Sequence, residues 1–318
     1  MVIVGGGAGA LAAAISAVDA GLEDVVVLDP GDTASLATDS IVPAIFVAAD
    51  TELQREAGID DSVDEFADWW MGLARGNADR ELVEFLARES SETVSWLQEL
   101  GVGFLDPGDA VLPASGAFIA AGRAHVVDGG YRILYEVLHQ QAVNRGVDIR
   151  TNAPVSSLIL DEAGRVEGVR SGADGREERI FAYEAVVLTG RSRALSGRSI
   201  PLEAFFDPTD TPLDDASEYS DGIALAEEAD AAVSDRTGVT AGYMDGGYRQ
   251  ARIGGLDVTE TSHVMRSDGS TIPRLYATGR IAGNRYFYRL RLAPQSNILE
   301  LTQARVAGEH VGRYRRGG

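Results

Sequence analysis

The sequence predicts an α/β fold built on a parallel sheet, with a β-meander and a helical stretch inserted into it. Three observations carry that prediction. Met1–Val4 is a short β-branched run that breaks into Gly5-Gly6-Gly7-Ala8-Gly9-Ala10 and then into the Ala-rich, helical Leu11–Ala20. Asp24–Leu28 (DVVVL) is a continuous apolar run of the kind found in strands buried on both faces. Glu184–Gly190 (EAVVLTG) repeats that pattern far along the chain, and Leu275–Thr278 (LYAT), followed by Gly279, repeats it again.

The first two runs form a strand–turn–helix–strand unit. Its turn reads G-x-G-x-x-A at Gly5, Gly7 and Ala10. Gly5 permits the tight turn, Gly7 lets a pyrophosphate approach the backbone, and a small side chain at Ala10 lets helix and strand pack closely. The N-terminus of the helix then faces the phosphates with free N–H groups and partial positive charge. Asp29 follows the second strand at the spacing expected of the acid that hydrogen-bonds an adenosine ribose. A dinucleotide site is therefore expected here.

The remaining elements read in order. Gly31–Ala49 is rich in small and hydroxyl residues and reads as an extended segment running through a site. Ser62 and Asp64 open a helix to about Arg75, and Asp79 opens a second to Leu100, with Gly101 as its C-cap. Trp69, Trp70 and Trp96 are expected in the core between these helices. Leu105–Ala121 is a Pro/Gly loop, Tyr131–Arg145 an amphipathic helix and Val147–Arg150 a strand. Val155–Leu160, Arg165–Arg170 and Glu178–Tyr183 form a β-meander across two Gly-containing turns. Arg191–Thr211 is polar and loop-like, and Asp221–Ala232 is helical. Gly254–Val258 is a further strand, and Ser296–Arg313 is the closing helix.

Composition narrows the function. The 318 residues carry 28 basic and 49 acidic side chains, a net charge of −21. All the basic residues are Arg, because the chain has no Lys. Such a surface repels phosphate backbones, which argues against nucleic-acid binding. The composition fits a salt-adapted proteome or a high-GC genome. There is no Cys, so disulfides, Cys zinc sites, iron–sulfur clusters and thiol nucleophiles are excluded. The four histidines, His125, His139, His263 and His310, are not spaced as metal ligands. No apolar run approaches the ~20 residues of a membrane-spanning helix. The opening MVIVGGG lacks a basic region followed by a cleavable apolar segment, so a cytoplasmic protein is expected.

The order of pieces resembles the FAD-dependent fumarate reductase / succinate dehydrogenase / 3-ketosteroid dehydrogenase superfamily. VIVGGGAGALAAAI resembles its FAD pyrophosphate motif, and VVVLDP its ribose strand, where the family usually has Glu in place of Asp29. IVPAIFVAADTELQREAGIDDS is similar to a segment lining the flavin. EYSDGIALAEEA is similar to its T-G-D-G helix start. GSTIPRLYATGRIAGN looks like P-G-L-Y-A-A-G-E, and RLAPQSNILELTQARVAGEHV looks like R-L-G-G-N-S-L followed by G-R-x-A-G.

The resemblance implies a Rossmann-like FAD-binding fold made of residues 1–50, 106–190 and 253–318. It implies a helical insertion over 51–105 and a remnant of the capping domain over 191–252. It implies non-covalent FAD, since no His lies in Gly31–Ala49, held by Gly5, Gly7, Gly9, Ala10, Asp29, Thr33, Ser35, Thr189, Gly190, Asp221, Gly279, Arg280, Ser296, Asn297 and Ile298. Arg291 takes the place of the family's substrate arginine, Arg123 and His125 resemble an R-x-H of the dehydrogenase branch and are catalytic candidates, with His125 as a proton shuttle, and Tyr286 and Tyr288 are acid/base candidates. No metal is implied.

The departures are Arg280 in place of the family's Glu, Ala293-Pro294-Gln295 in place of Gly-Gly-Asn, and a largely missing cap. Two readings follow. One is an FAD oxidoreductase acting on a small organic substrate at a CH–CH or CH–OH centre beside a carbonyl or carboxylate. The other is a flavin-binding protein without dehydrogenase turnover, whose site a second copy or a partner chain completes. A nicotinamide enzyme using the glycine turn alone leaves the C-terminal segments without a role.

Overall fold

The computed structural model describes residues 1–31, 43–74, 76–106, 122–172, 177–189, 221–233, 238–244, 247–253, 255–283, 285–286 and 290–316. Its centre is a six-stranded sheet. β1 (Val2–Val4) lies between β2 (Val26–Leu28) and β9 (Val186–Thr189). β5 (Asp148–Arg150) flanks β2, and β13 (Thr271–Thr278) flanks β9. These five strands are parallel, and β12 (His263–Met265) closes one edge antiparallel to β13. The continuous apolar runs are thus the buried central strands: Ile3, Val27, Val187 and Leu188 are all fully buried. Pro273, which cannot donate to a ladder, precedes Leu275, where pairing with β9 begins.

Two helices cover one face, α1 (Ala8–Asp19) and the closing α7 (Ala293–Arg316). Their contact is made of small residues. A Cβ on Gly308 would lie 2.3 Å from the Ala13 carbonyl oxygen, and one on Gly312 would lie 2.4 Å from the Ala20 Cβ. Only glycine lets the two backbones approach this closely. The other face carries the meander β6 (Val155–Leu160), β7 (Val166–Ser171) and β8 (Glu178–Phe181), as its strand pattern predicts.

Residues 51–105 add no strand to the central sheet. They form α2 (Glu52–Glu56), α3 (Val63–Leu73) and α4 (Arg80–Glu99). Ser62 caps α3 by accepting the Glu65 N–H, and Asp79 caps α4 by accepting those of Glu81 and Leu82. Gly101 follows α4 in the left-handed conformation, φ 101°. Trp70 is fully buried, and Trp69 and Trp96 are half-buried against the same core. The short α2 was not expected, although its Thr51-x-x-Gln54 capping box is visible in the sequence.

Three other differences have local causes. β3 (Ile45–Val47) forms in the segment read as merely extended, because it pairs antiparallel with β4 (Ala124–Val126), which lies far along the chain. Gly254–Val258 does not form a strand: Gly255, Leu256 and Val258 make isolated bridges to Ala282, Val233 and Val264. The stretch read as cap remnant contains a hairpin, β10 (Gly238–Met244) and β11 (Gly247–Ile253), and β14 (Leu290–Leu292) adds to β10 in parallel. Helices α5 (Gly130–Asn144) and α6 (Asp221–Glu227) complete the fold.

Candidate functional site

The site grows from the end of β1. Gly5 has φ 128°, and a Cβ there would lie 2.1 Å from the Thr189 hydroxyl oxygen. That hydroxyl donates to the Val4 carbonyl at 2.9 Å, which ties the end of β9 to the turn. At Gly6 a Cβ would lie 2.1 Å from the carboxyl carbon of Asp29. Asp29 is 2% exposed, and its carboxylate also accepts the Gly31 N–H at 3.1 Å. Gly7 is the N-cap of α1, with no side-chain cap and no acidic residue in the first helical turn. A Cβ on Gly7 would approach nothing closer than the Tyr131 hydroxyl at 3.8 Å. Glu300 of α7 packs against Gly9 and Gly279, and Ala10 is fully buried.

This arrangement fits an adenine dinucleotide. The first-turn N–H groups of α1 lie beside an open glycine, where a diphosphate binds, and a buried carboxylate stands at the end of β2 for the ribose. All of it lies at the carboxyl ends of parallel strands, where open α/β sheets bind ligands.

The second half of the site returns from β13. Gly279 has φ 74° and starts a 3₁₀ turn, Gly279–Ile281, closed by the Ala282 N–H donating to the Gly279 carbonyl. Asp79 of the helical insertion receives the chain beyond this turn. Its N–H donates to the Arg285 carbonyl at 2.7 Å, and its carboxylate pairs with the Arg285 guanidinium. The Trp70 indole N–H donates to the Tyr286 carbonyl at 2.7 Å. Tyr286 itself is 1% exposed, and burial pushes its phenol well above the ordinary tyrosine value. On α7, the Asn297 amide donates to the Ile45 carbonyl at 3.0 Å, and Ile298 is fully buried.

Arg123 and His125 lie on and beside β4, in a buried polar network. The Arg123 guanidinium makes a two-pronged pair with Asp61, at 2.7 and 2.5 Å, with both side chains under 10% exposed. Gln54 donates to the same carboxylate at 3.2 Å, and the Arg123 guanidinium lies over the rings of Phe66 and Trp69. The His125 Nδ1 faces the Arg123 carbonyl at 2.9 Å, and its Nε2 faces the Thr51 hydroxyl at 2.8 Å. A carbonyl only accepts, so Nδ1 carries the proton and the Thr51 hydroxyl donates to Nε2. Desolvation holds this imidazole neutral, with its pKa lowered to about 4 against the raising pull of the Arg123 carbonyl and Asp61.

Other sequence-derived candidates are placed only as positions along the backbone. Arg291 pairs in register with Thr240 in β14 and β10, Arg280 is in the 3₁₀ turn, Asp221 opens α6, and Ser296 is in the first turn of α7. Thr33, Ser35, Gly190 and Tyr288 lie outside the described residues. Sequence reasoning missed Thr51, Gln54, Asp61, Trp70, Asp79, Arg285 and Gln303. Of these only the capping signals at Thr51, Gln54 and Asp79 were available, because the other partnerships join distant parts of the chain. Among the described residues, no group of three or more His, Asp or Glu is placed to hold a metal ion, and no helix is long and apolar enough to cross a membrane.

Comparison with known proteins decides the family. The model of the FAD binding domain family matches residues 1–238. The chain belongs to that family. FAD is accordingly its cofactor. A fumarate reductase (cytochrome) of Shewanella frigidimarina is 27% identical over 282 residues, 86% of this chain and 45% of that protein. An L-aspartate oxidase of Caulobacter vibrioides is 30% identical over 238 residues, 74% of this chain and 43% of that protein. The FAD-binding chain thus spans about half the length of the curated relatives it matches. The 3-ketosteroid-Δ4-(5α)-dehydrogenase of Rhodococcus jostii RHA1 shares the fold with a TM-score of 0.77 at 18% identity, covering 98% of this chain and 96% of that one. A flavocytochrome c3 fumarate reductase does so with a TM-score of 0.74 at 17% identity, covering 98% and 78%.

Proposed function

We propose that the chain is an FAD-dependent oxidoreductase acting on a small organic substrate at a CH–CH or CH–OH centre beside a carbonyl or carboxylate. The observation that carries this reading is the open glycine N-cap of α1 beside the buried carboxylate of Asp29. Bound FAD supplies hydride transfer at N5; the chain supplies binding, orientation and a proton partner. Gly5, Gly7, Gly9 and Ala10 receive the diphosphate, and Asp29 the ribose. Thr33, Ser35, Thr189, Gly190, Asp221, Gly279, Arg280, Ser296, Asn297 and Ile298 complete the cofactor site, which holds FAD without a covalent bond.

Arg291 anchors a substrate oxygen. Its guanidinium stays charged and offers paired donors, which Lys does not reproduce. Tyr288 is the proton partner. Arg123 and His125, catalytic candidates by sequence, serve instead as positioning residues, because Asp61 engages the guanidinium and the Arg123 carbonyl and the Thr51 hydroxyl engage both imidazole nitrogens; these bonds fix β4, which pairs with β3. The organisation is a discontinuous cofactor domain over 1–50, 106–190 and 253–318, a helical insertion over 51–105 and a short cap remnant over 191–252. The protein works in the cytoplasm.

Acid precipitation releases FAD into the supernatant if this reading holds, and anaerobic addition of substrates or reductants changes the flavin absorbance. Arg291→Ala then retains FAD and loses substrate-dependent bleaching. A colourless protein that FAD does not reconstitute overturns the reading. The departures from the family pattern at Arg280 and Ala293-Pro294-Gln295 favour a second reading, a flavin-binding chain without dehydrogenase turnover that a partner or a second copy completes. FAD that binds yet is bleached by no candidate substrate selects the second.

A further inference from the structure

Gln303 lies on α7 and is 3% exposed. Its carboxamide spans the 3₁₀ turn from end to end. The amide oxygen accepts the Gly279 N–H at 2.8 Å, and the amide nitrogen donates to the Ala282 carbonyl at 3.3 Å. The helix is fixed on its own account. Thr302 meets the Thr93 hydroxyl at 3.0 Å, Arg305 donates to Thr93 and pairs with Glu89, and the Gln303 carbonyl accepts the Ser262 hydroxyl. A planar amide is the neutral side chain that presents an acceptor and a donor side by side. Here it meets a donor and an acceptor at the two ends of one turn, in a buried place where a charge would be costly.

The turn so held is the one that carries Gly279 and Arg280. The chain before it is fixed in the sheet by β13, and the chain after it is fixed by Trp70 and Asp79. Gln303 supplies the only side-chain bonds to the Gly279 N–H and the Ala282 carbonyl among the described residues. We propose that Gln303 is a positioning residue for the cofactor: its amide sets the backbone of 279–282 in the shape that receives FAD. The inference rests on the cofactor assignment of Gly279 and Arg280 made above.

The test uses the full chain, FAD as the probe, and two variants. Gln303→Leu keeps the volume and removes both bonds. It should bind FAD about tenfold or more weakly, the loss of two neutral hydrogen bonds to a ligand-bearing turn. The fine structure of the long-wavelength flavin band should blur in the protein that remains loaded. Gln303→Glu is the conservative variant. Its carboxylate keeps the bond from the Gly279 N–H but sets an anion against the Ala282 carbonyl, and its protonated form restores the donor. Burial raises the pKa of such a carboxyl, so FAD affinity of Gln303→Glu should be poor near ~pH 9 and recover towards the parent near ~pH 6. Circular dichroism followed over the same range separates a folding role, in which fold and FAD are lost together, from positioning, in which FAD is lost from a folded chain.

Parent protein that takes up no FAD overturns the cofactor reading and the proposal together. Parent that binds FAD while both variants match it in affinity, spectrum and pH profile overturns the proposal alone. If Gln303→Leu does not fold, the pH profile of Gln303→Glu decides: a flat profile parallel to the parent's rejects the role, and recovery on acidification supports it.

Discussion

The two segments that form the cofactor site are held by different means. The turn at Gly5–Ala10 is built mainly from within the first βαβ unit, with Thr189 and Glu300 as contacts from outside it: Gly5 donates to Leu28, and Gly6 lies against Asp29. The return segment 279–286 is held by side chains from elsewhere. Gln303 is 24 residues from Gly279, Asp79 is 206 from Arg285, and Trp70 is 216 from Tyr286. The first is specified by steric room, since each position tolerates only what fits. The second is specified by buried hydrogen bonds, whose cost appears when one partner is lost.

The comparison is broken most severely at Gly6. Its Cβ would meet the carboxyl carbon of Asp29 at 2.1 Å, and Asp29 is tied to the Gly31 N–H. Gly6→Ala must displace that carboxylate or open the turn, an overpacking of about 3 kcal/mol. The variant should lose most of its FAD content, read from the ratio of flavin to protein absorbance. Retention of parental FAD by Gly6→Ala would show that the turn yields more readily than its packing indicates.

At the return segment the matching change is Trp70→Phe. It keeps a large ring and removes the N–H, leaving the Tyr286 carbonyl buried without that donor. A cost of about 2 kcal/mol is expected in denaturant unfolding, with a weaker effect on FAD than at Gly6, because Asp79 still holds Arg285. Equal loss of FAD in the two variants would mean that the helical insertion controls cofactor binding as strongly as the glycine turn does.

A third contrast uses pH. His125 is neutral in the folded chain, its pKa lowered to about 4 from 6.5 by desolvation. The unfolded chain therefore binds more protons between these values, and stability falls as pH drops from 6.5 towards 4, with its full value retained above 6.5. The slope from one such group is up to about 1.4 kcal/mol per pH unit. His263, lowered to about 4 by burial and by His310, adds a second contribution in the same window. His125→Gln should flatten part of the acid limb of the Tm profile. An unchanged limb would assign acid sensitivity to His263 and to the carboxylates.

The same division explains what the sequence discloses. Apolar runs at 24–28, 184–190 and 275–278 became central strands, because a strand buried on both faces leaves a signature in its own residues. Gly5, Gly7 and Asp29 were legible for a similar reason: turn, helix and acid lie in one unit. The bonds of Trp70 to Tyr286 and of Gln303 to Gly279 have no such signature, since a lone Trp or Gln in a helical pattern reads as core or surface. Arg123 and His125 were visible as a pair, but Asp61, which commits Arg123, and Thr51, which faces the Nε2 of His125, are 62 and 74 residues away. The strands β10 and β11 were not legible as strands, since their alternation is interrupted by glycines and arginines.

The smallest effect sharpens the comparison most, because its sign differs between the two segments. Thr189 and Thr278 are register partners at the ends of the parallel strands β9 and β13. Thr189 donates to the Val4 carbonyl at 2.9 Å and packs on Gly5. The Thr278 hydroxyl is fully buried, and it is the one buried side-chain polar atom among the described residues without a hydrogen-bond partner. Valine replaces the hydroxyl by a methyl of nearly the same shape. At Thr189 this removes a bond and leaves the Val4 carbonyl short of a donor, a loss of about 1 kcal/mol. At Thr278 it removes an unpaired hydroxyl from an apolar site, so stability should rise by up to about 1 kcal/mol. Unfolding of apoprotein measures both. Thr189→Val should lower the midpoint and weaken FAD, because the tie between β9 and the glycine turn is cut. Thr278→Val should raise the midpoint with FAD affinity unchanged, because no hydrogen bond ties its hydroxyl to the turn at Gly279. A destabilised Thr278→Val would mean that the hydroxyl finds a buried water, and the return segment would then be held by one more bond than its side chains reveal.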